Sequence, residues 1–262
     1  MKKFVVTLNE QKEKSQVYAR LVHQSLSSFM VEDENHPDLI VSVGGDRTVL
    51  DSVCKYHAIL DQVVFIGLHT GNLGFFTDYP EEDWEIMISD LKENKLVKKE
   101  WTMLDVEVKQ ASQVKHYLAL NEARLEQNRH TLVCDVYINK EHLERFRGNG
   151  LCICTPAGST AYNRSLKGSI ISSTLPSMQL SEIAGIHHNA YRSLGNSLVV
   201  DDKTTITLRP VGQNQAVLGV DRESFELDQL EEINYKVSKT KVVFLTKPGF
   251  SMVQRLKRSF IS

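Results

Sequence analysis

The sequence predicts an α/β N-terminal domain built on a parallel sheet, followed by a β-rich, sandwich-like C-terminal domain. Over the first hundred residues, unbroken apolar runs alternate with helical periodicity. Strands without polar alternation indicate a parallel sheet covered on both faces. From about residue 101 the pattern becomes short β-type runs broken by turn residues. A strand followed by a helix then closes the chain.

"FVVTLN" (4–9) reads as a buried strand and residues 11–30 as a helix, with Val17, Leu21, Val22, Leu26 and Phe29 on one face. "DLIVSVGG" (38–45) is a second buried strand, after which Val49, Leu50, Val53, Cys54 and His57 recur at helical spacing. "VVFIGLH" (63–69) is a third strand. "PEEDWEIMISDLKEN" (80–94) is a helix with proline and acids in its first turn, where the helix dipole favours them. "MLDVEVKQ", "HYLALNEARL", "LVCDVYINK", "GLCICTP", "SLVVDDKTTITLRP" and "QAVLGVDRESFEL" are the β-type runs of the second domain. The expected boundaries are 1–100 for the α/β domain and 101–235 for the β-rich domain, with 236–262 rejoining the first.

Composition narrows the function classes. The chain has 262 residues, 41% hydrophobic and 24% charged, with a formal net charge of -2. No basic excess points to nucleic acid. No apolar stretch reaches membrane-spanning length, and the apolar run in "MKKFVVTLNE" is too short for a signal peptide, so a cytoplasmic protein is expected. Cys54, Cys134, Cys152 and Cys154 form no C-x-x-C pair, so neither a metal site nor a disulfide framework is expected. Adjacent His187 and His188 diverge in direction on either a strand or a helix, which suits a surface or interface role better than a metal site. The basic "RLKRSF" end suits a helix C-terminus.

The chemistry concentrates in a few turns. Gly44 and Gly45 end a buried strand, where ligands of open α/β sheets bind, and Asp46 follows at a helix entrance. Glycines there let backbone N–H groups approach a phosphate; equally, Asp46 is the residue type of an N-cap. Neither a P-loop nor a G-x-G-x-x-G fingerprint is present. "GLHTGNLGFFTD" (67–78) offers glycines and then Phe75 and Phe76, a loop with room for a planar ligand to stack. "NEARLE" places Asn121 and Glu122 at a strand end. "TPAGSTAYNRS" (155–165) is a hydroxyl-rich turn, suited either to a sugar or phosphate or to an ST-turn leading into a helix.

Taken in order, GGD-x-T, "LHTGNLGFFTD", "NE", "RGNGLCICTPAGSTAYNRSL" and "MQLSEIAGI" resemble the NAD kinases, in particular the compact enzymes of Gram-positive bacteria. The resemblance implies an N-terminal α/β nucleotide domain, a β-rich domain that binds NAD, and a homotetramer. It implies phosphoryl transfer from ATP, or from polyphosphate, to the 2′-hydroxyl of the adenosine ribose of NAD, giving NADP. Asp46 matches the general base, and a carboxylate in reach of a ribose hydroxyl can take its proton. The substrate-binding positions implied are Gly45, Arg47, Phe75 on the adenine side, the Asn121–Glu122 pair, Arg147, Asn149, Ala157, Ser159, Thr160, Ala161, Tyr162, Asn163, Ser165, Ala184, Ile186 and Asp221. Mg²⁺ or another divalent cation would arrive with ATP, bridging its phosphates, without a protein cage.

Two positions depart from the family pattern. Arg47 stands where GGDGT has its last glycine, and Asn149 where the family has the aspartate of RGDG. If position 47 needs a positive φ, arginine is strained there; if not, its guanidinium can reach phosphates. A dinucleotide-binding protein with weakened catalysis is the alternative these changes raise. A lipid kinase of the same superfamily is the other, set against the NE pair and the GSTAYN turn.

Overall fold

Three of the described strands bury every residue they contain, Leu39–Val43, Val64–His69 and Gly150–Cys154, as strands covered on both faces do. The computed structural model describes residues 1–71, 74–188, 192–212, 215–249 and 251–261. The chain forms two compact units, Met1–Trp101 with Lys241–Ser262, and Thr102–Thr240.

In the first unit, β1 (Lys3–Leu8), α1 (Glu13–Leu26), β2 (Val31–Glu32), β3 (Leu39–Val43), α2 (Asp46–Lys55) and β4 (Val64–His69) follow in turn. The short β5 (Tyr79–Pro80) and α3 (Trp84–Lys92) come next. The sheet runs β2-β1-β3-β4, all parallel. Its core holds Phe4, Val22, Leu26, Leu39, Val41, Ile66, Leu68 and Met87. Each such side chain contributes about 1.5–3 kcal/mol relative to exposure. The carboxyl ends of the strands are tied together: Gly44 N–H donates to Leu68 O at 2.9 Å and Asn9 N–H to Val43 O at 3.2 Å. That fixes the start of α2 beside the segment leaving β4.

The helix faces differ from those expected. α1 covers Glu13–Leu26 and buries Ser15, Ala19, Val22 and Leu26. Val17 is 40% exposed, and Phe29, beyond the helix, is 42% exposed with the Lys92 ammonium 4.7 Å from its ring. Ser15 takes a core position because its hydroxyl bonds Thr70 Oγ1 at 2.5 Å, and this rotates the buried stripe. α2 likewise buries Thr48, Val49, Ser52 and Val53 and leaves Cys54 and His57 exposed. Ser52 Oγ sits 2.6 Å from Thr7 Oγ1 and 2.9 Å from Ser42 Oγ, so hydroxyls satisfy one another where the apolar pattern has a gap.

The second unit is a sandwich of antiparallel sheets, in agreement with the predicted fold class. Its strands are the end of β6 (Val97–Gln110), then β7 (Gln113–Ala119), β8 (Glu122–Glu126), β9 (Leu132–Ile138), β10 (Glu141–Gly148) and β11 (Gly150–Cys154). After α4 (Tyr162–Ser165) come β12 (Ser177–Ile183), β13 (Leu198–Asp201), β14 (Ile206–Pro210), β15 (Ala216–Val220), β16 (Glu223–Leu227) and the start of β17 (Leu230–Thr246). One sheet has the order β13-β12-β11-β8-β15-β16. The other contains β10-β9-β14-β17, with β6 paired to β7. Between them lie Val106, Leu125, Val136, Phe146, Ile153, Leu180, Leu208, Leu218 and Tyr235. β10 and β12 are strands that the sequence reading does not place.

β17 carries the chain back into the first unit, where Phe244 pairs in parallel with Phe65 of β4. The closing helix α5 (Met252–Phe260) starts with a capping box: Gln254 N–H donates to Ser251 Oγ, and Ser251 N–H donates to Gln254 Oε1 at 2.8 Å.

Candidate active site

In the first unit the site grows from the Gly-Gly turn after β3. A Cβ on Gly44 would lie 2.1 Å from Thr48 Oγ1, so that glycine answers to its own helix; nothing lies within 4 Å of a Cβ on Gly45, which faces open space. Gly45 is the N-cap of α2 and Asp46 its first residue. The Asp46 side chain does not cap the helix. Oδ2 accepts Phe75 N–H at 2.6 Å and Oδ1 accepts Phe76 N–H at 2.9 Å. Burial pushes its carboxyl above the ordinary range, against these two N–H groups and the positive Arg255 and Arg258. A carboxylate with raised proton affinity and fixed direction is suited to taking a proton.

The segment that holds Asp46 is itself held. Arg255, 2% exposed, donates Nη1–H to Phe75 O at 2.6 Å and pairs with Asp78 at 2.7 Å. Arg258 donates to Thr77 O. Neither arginine nor Asp78 is among the residues predicted from sequence. The arginines show in sequence only as a basic helix end, for which the helix dipole is a sufficient local explanation.

Two sequence expectations change here. The Phe75 ring is not a stacking platform: it is 7% exposed and packs edge-on against Phe76 and Trp101, with centroids 6.3 and 5.8 Å away. What Phe75 offers is its backbone. Asn72 and Leu73 of the same loop lie outside the described residues. Arg47 is an exposed residue of α2 and is not among the residues with positive φ, so arginine incurs no backbone strain there.

In the second unit the Asn121–Glu122 pair opens β8. Asp221, at φ 49°, accepts N–H groups from Leu120, Asn121 and Glu122 at 2.8, 2.7 and 3.1 Å. Asp221 is one of the substrate-binding positions the resemblance implies, and both its oxygens take part in shaping this turn. Glu122 is 5% exposed, and burial together with Asp221 pushes its carboxyl up to about 8, against Arg124 and the N–H of Tyr162. Burial takes Asp221 to about 6. Among the described residues Asn121 Oδ1 and Glu122 Oε2 are buried without a hydrogen-bond partner. Two orphaned acceptors side by side fit a ligand that brings donors.

The 155–165 turn packs onto this pair: a Cβ on Gly158 would lie 2.0 Å from Asn121 O. Each of its serine and threonine hydroxyls donates to a backbone carbonyl. Thr155 donates to Leu120 O at 2.6 Å, Ser159 to Pro156 O at 2.6 Å, Thr160 to Ala157 O at 2.9 Å and Ser165 to Tyr162 O at 2.7 Å. Ser159 and Asn163 are wholly buried, the latter accepting from Ser181, and Ala157 is 2% exposed. The bonds of Ser159, Thr160 and Ser165 are those of an ST-turn, and among the described residues Asn163 Nδ2 is buried without a hydrogen-bond partner. Ala161 is exposed, and the Tyr162 ring lies 4.8 Å from the Arg124 guanidinium.

The remaining predicted residues gather at the other end of the β8–β11 pair. Gly150 is in register with Glu126 and Ile183, whereas Cys154 is in register with Glu122. Arg147 O accepts Ile186 N–H at 2.7 Å. Asn149 is exposed and joins Ile183 and Gln127 through its backbone. Ala184 stands at φ 47° and Ile186 is 44% exposed. The two clusters are separated by roughly 14 Å, four residue steps of a strand. Glu122, Arg124 and Glu126 line one face between them, with Arg124 3.7 Å from Glu122 and 3.3 Å from Glu126. His187 is half-exposed and 3.4 Å from Glu182.

Comparison with known proteins bears on this geometry. A family model described as the ATP-NAD kinase C-terminal domain matches residues 120–246. The NAD kinases of Streptococcus pneumoniae serotype 4 and of strain JJA are each 38% identical over 237 residues, covering 90% of this chain and 87% of the relative. The crystal structure of yeast NADH kinase complexed with NADH has a TM-score of 0.86 at 19% identity, over 98% of this chain and 86% of that one. An NAD kinase from Archaeoglobus fulgidus in complex with ATP has a TM-score of 0.72 at 21% identity, over 98% and 95%. At those identities the two structures show the shared fold.

Proposed function

The chain belongs to the NAD kinase family, enzymes that phosphorylate NAD, and from that premise we propose that it moves the γ-phosphoryl group of ATP to the 2′-hydroxyl of NAD's adenosine ribose, releasing NADP and ADP. The observation that carries this reading is the Asp46 carboxylate, raised by burial yet aimed by the N–H groups of Phe75 and Phe76. In it Asp46 takes the hydroxyl proton as the ribose oxygen attacks the γ-phosphorus and the bond to the β-bridging oxygen breaks. The open space at Gly45, at a helix N-terminus, suits phosphate oxygens.

The partnerless acceptors of Asn121 and Glu122 suit donors of the dinucleotide, its ribose hydroxyls and carboxamide N–H. The strip Glu122–Arg124–Glu126 with Tyr162 gives an elongated ligand charged and aromatic contacts along roughly 14 Å. Mg²⁺ is proposed to enter with ATP. The described residues contain no group of three or more His, Cys, Asp or Glu side chains able to hold an ion by themselves. When bound, the cation neutralises charge on the transferring phosphates.

A homotetramer in the cytoplasm is part of the same proposal; among the described residues no helix is long and apolar enough to cross a membrane. The unstrained backbone at Arg47 favours an active enzyme over a weakened one. The test is NADP formation by purified protein given NAD, Mg²⁺ and either ATP or polyphosphate. Turnover with ATP supports the reading; binding of NAD without turnover on either donor overturns it.

A further inference from the structure

We propose that Arg255 is a positioning residue for the transfer step: from the C-terminal helix its guanidinium holds the Phe75–Asp78 segment, so that Phe75 and Phe76 present their N–H groups to Asp46. The inference rests on Asp46 being the base.

The geometry is a two-sided clamp. On one side the N–H groups of Phe75 and Phe76 bind the two oxygens of Asp46. On the other, the carbonyl of Phe75 and the carboxylate of Asp78 bind Arg255, and the carbonyl of Thr77 binds Arg258. The segment therefore has its donors toward the base and its acceptors toward α5. Arg255 is the one fully buried residue described in the helix; Met252, Leu256 and Phe260 are half-buried, while Val253 is 62% and Ile261, just past its end, 78% exposed. Burying a guanidinium is unfavourable unless its donors are matched, and here the segment that aims Asp46 matches Nη1 with the Phe75 carbonyl and Nη2 with the Asp78 carboxylate. The capping box at Ser251 and Gln254 fixes the helix start at Met252, one turn before Arg255.

The charged groups around the base come from every neighbouring element. Arg255 and Arg258 face Asp46 from α5. Asp78 faces Arg255, and Lys247 donates its N–H to Asp78 at 3.3 Å. Lys99, from β6, lies near Arg255 and Asp78, and burial holds it down to about 8. His69, at the end of β4, lies near Arg258. Removing Arg255 removes positive charge from beside Asp46 and one anchor from the segment.

The experiment is kcat against pH for Arg255→Gln and Arg255→Lys, with thermal unfolding of each. Arg255→Gln is expected to lower kcat roughly tenfold or more and to move its acid limb up by about half a pH unit or more. Arg255→Lys keeps the charge and loses the fork; its acid limb stays nearer the wild type while kcat remains reduced. A folded Arg255→Gln with wild-type kcat and acid limb overturns the inference. If that variant does not fold, Arg255→Lys and Arg258→Gln carry the test, and unchanged kcat and limb in both overturn it. Asp46→Asn, run alongside, separates the two readings. If its residual turnover keeps the acid limb, Asp46 is not the base and the inference falls with it. If the limb vanishes there but stays in place in Arg255→Gln, this inference alone fails.

Discussion

A methyl group on Gly74 would lie 2.1 Å from Oδ1 of Asp46. The glycine is thus required by a carboxylate on another element. Gly74→Ala is the smallest change that displaces that carboxylate while leaving it chemically intact. It is expected to reduce kcat by roughly 10–100-fold, the effect of about an ångström of misplacement. Steady-state NADP formation measures it. An alanine variant with wild-type kcat would show that the position of Asp46 does not matter to the reaction.

Asp46→Asn removes the proton acceptor and keeps the shape. Turnover should fall by roughly 10²–10⁴ while NAD affinity stays near wild type. The pH dependence has a definite sign. Burial raises the Asp46 carboxyl, so the basic form fills only as pH rises through that elevated value, and wild-type kcat should climb on its acid side above the ordinary carboxylate range. If the asparagine variant turns over normally, Asp46 is a structural acceptor for Phe75 and Phe76 and nothing more.

Glu122 supplies a second pH signature, in stability. Its folded value is raised from 4.5 to about 8. A raised group contributes stability that is fully present below its unfolded value and lost as pH rises through the folded one. Between about pH 4.5 and 8 the wild type should therefore lose stability relative to Glu122→Gln, on the order of a few kcal/mol. Denaturant unfolding of both proteins at pH 5 and pH 8 reads this; a constant difference between them contradicts it. The same substitution should weaken NAD more than ATP. Calorimetry showing ATP affinity lost and NAD affinity kept would remove Glu122 from the dinucleotide's partners.

The parallel sheet was legible because LIVSV and VFIGLH are apolar but for Ser42 and His69 and show no polar alternation. The buried face of α1 was not, because Ser15 fills a core position by bonding Thr70 rather than by being apolar. β10 (EHLERFRG) and β12 (SMQLSEI) carry too many polar residues to read as strands until their partners are known. At the site, Asp46, Asn121 and Glu122 stand out from motif alone. The serine and threonine hydroxyls of the 155–165 turn look the same in sequence whatever they bond; in the structure each donates to a nearby carbonyl, with Thr155 and Ser159 buried and Ser165 exposed. Arg255 reaches Phe75 across 180 residues of chain. No local pattern encodes a contact of that range, and a basic helix end has a sufficient local explanation in the helix dipole.

Arg47→Gly restores the family's residue at the position where this chain departs from it. Arg47 is exposed in the first turn of α2, next to the open space at Gly45, and its backbone is unstrained. Glycine therefore relieves nothing in the fold and should lower stability by up to about 1 kcal/mol, the helix propensity difference. The functional effect is separate. A helix N-terminus attracts anions, and a guanidinium there is long enough to fold over a phosphate chain and donate charge-assisted hydrogen bonds. Removing it should raise the apparent KM for ATP by roughly tenfold or more with kcat little changed. Because the lost contact is between opposite charges, the dependence of that KM on salt should weaken as well. Two other results have different meanings. A glycine variant with the same ATP KM and the same salt dependence places Arg47 in solvent, away from the donor. A higher kcat at unchanged stability means that arginine obstructs the phosphate turn, and that this chain is a slower kinase than its glycine-bearing relatives.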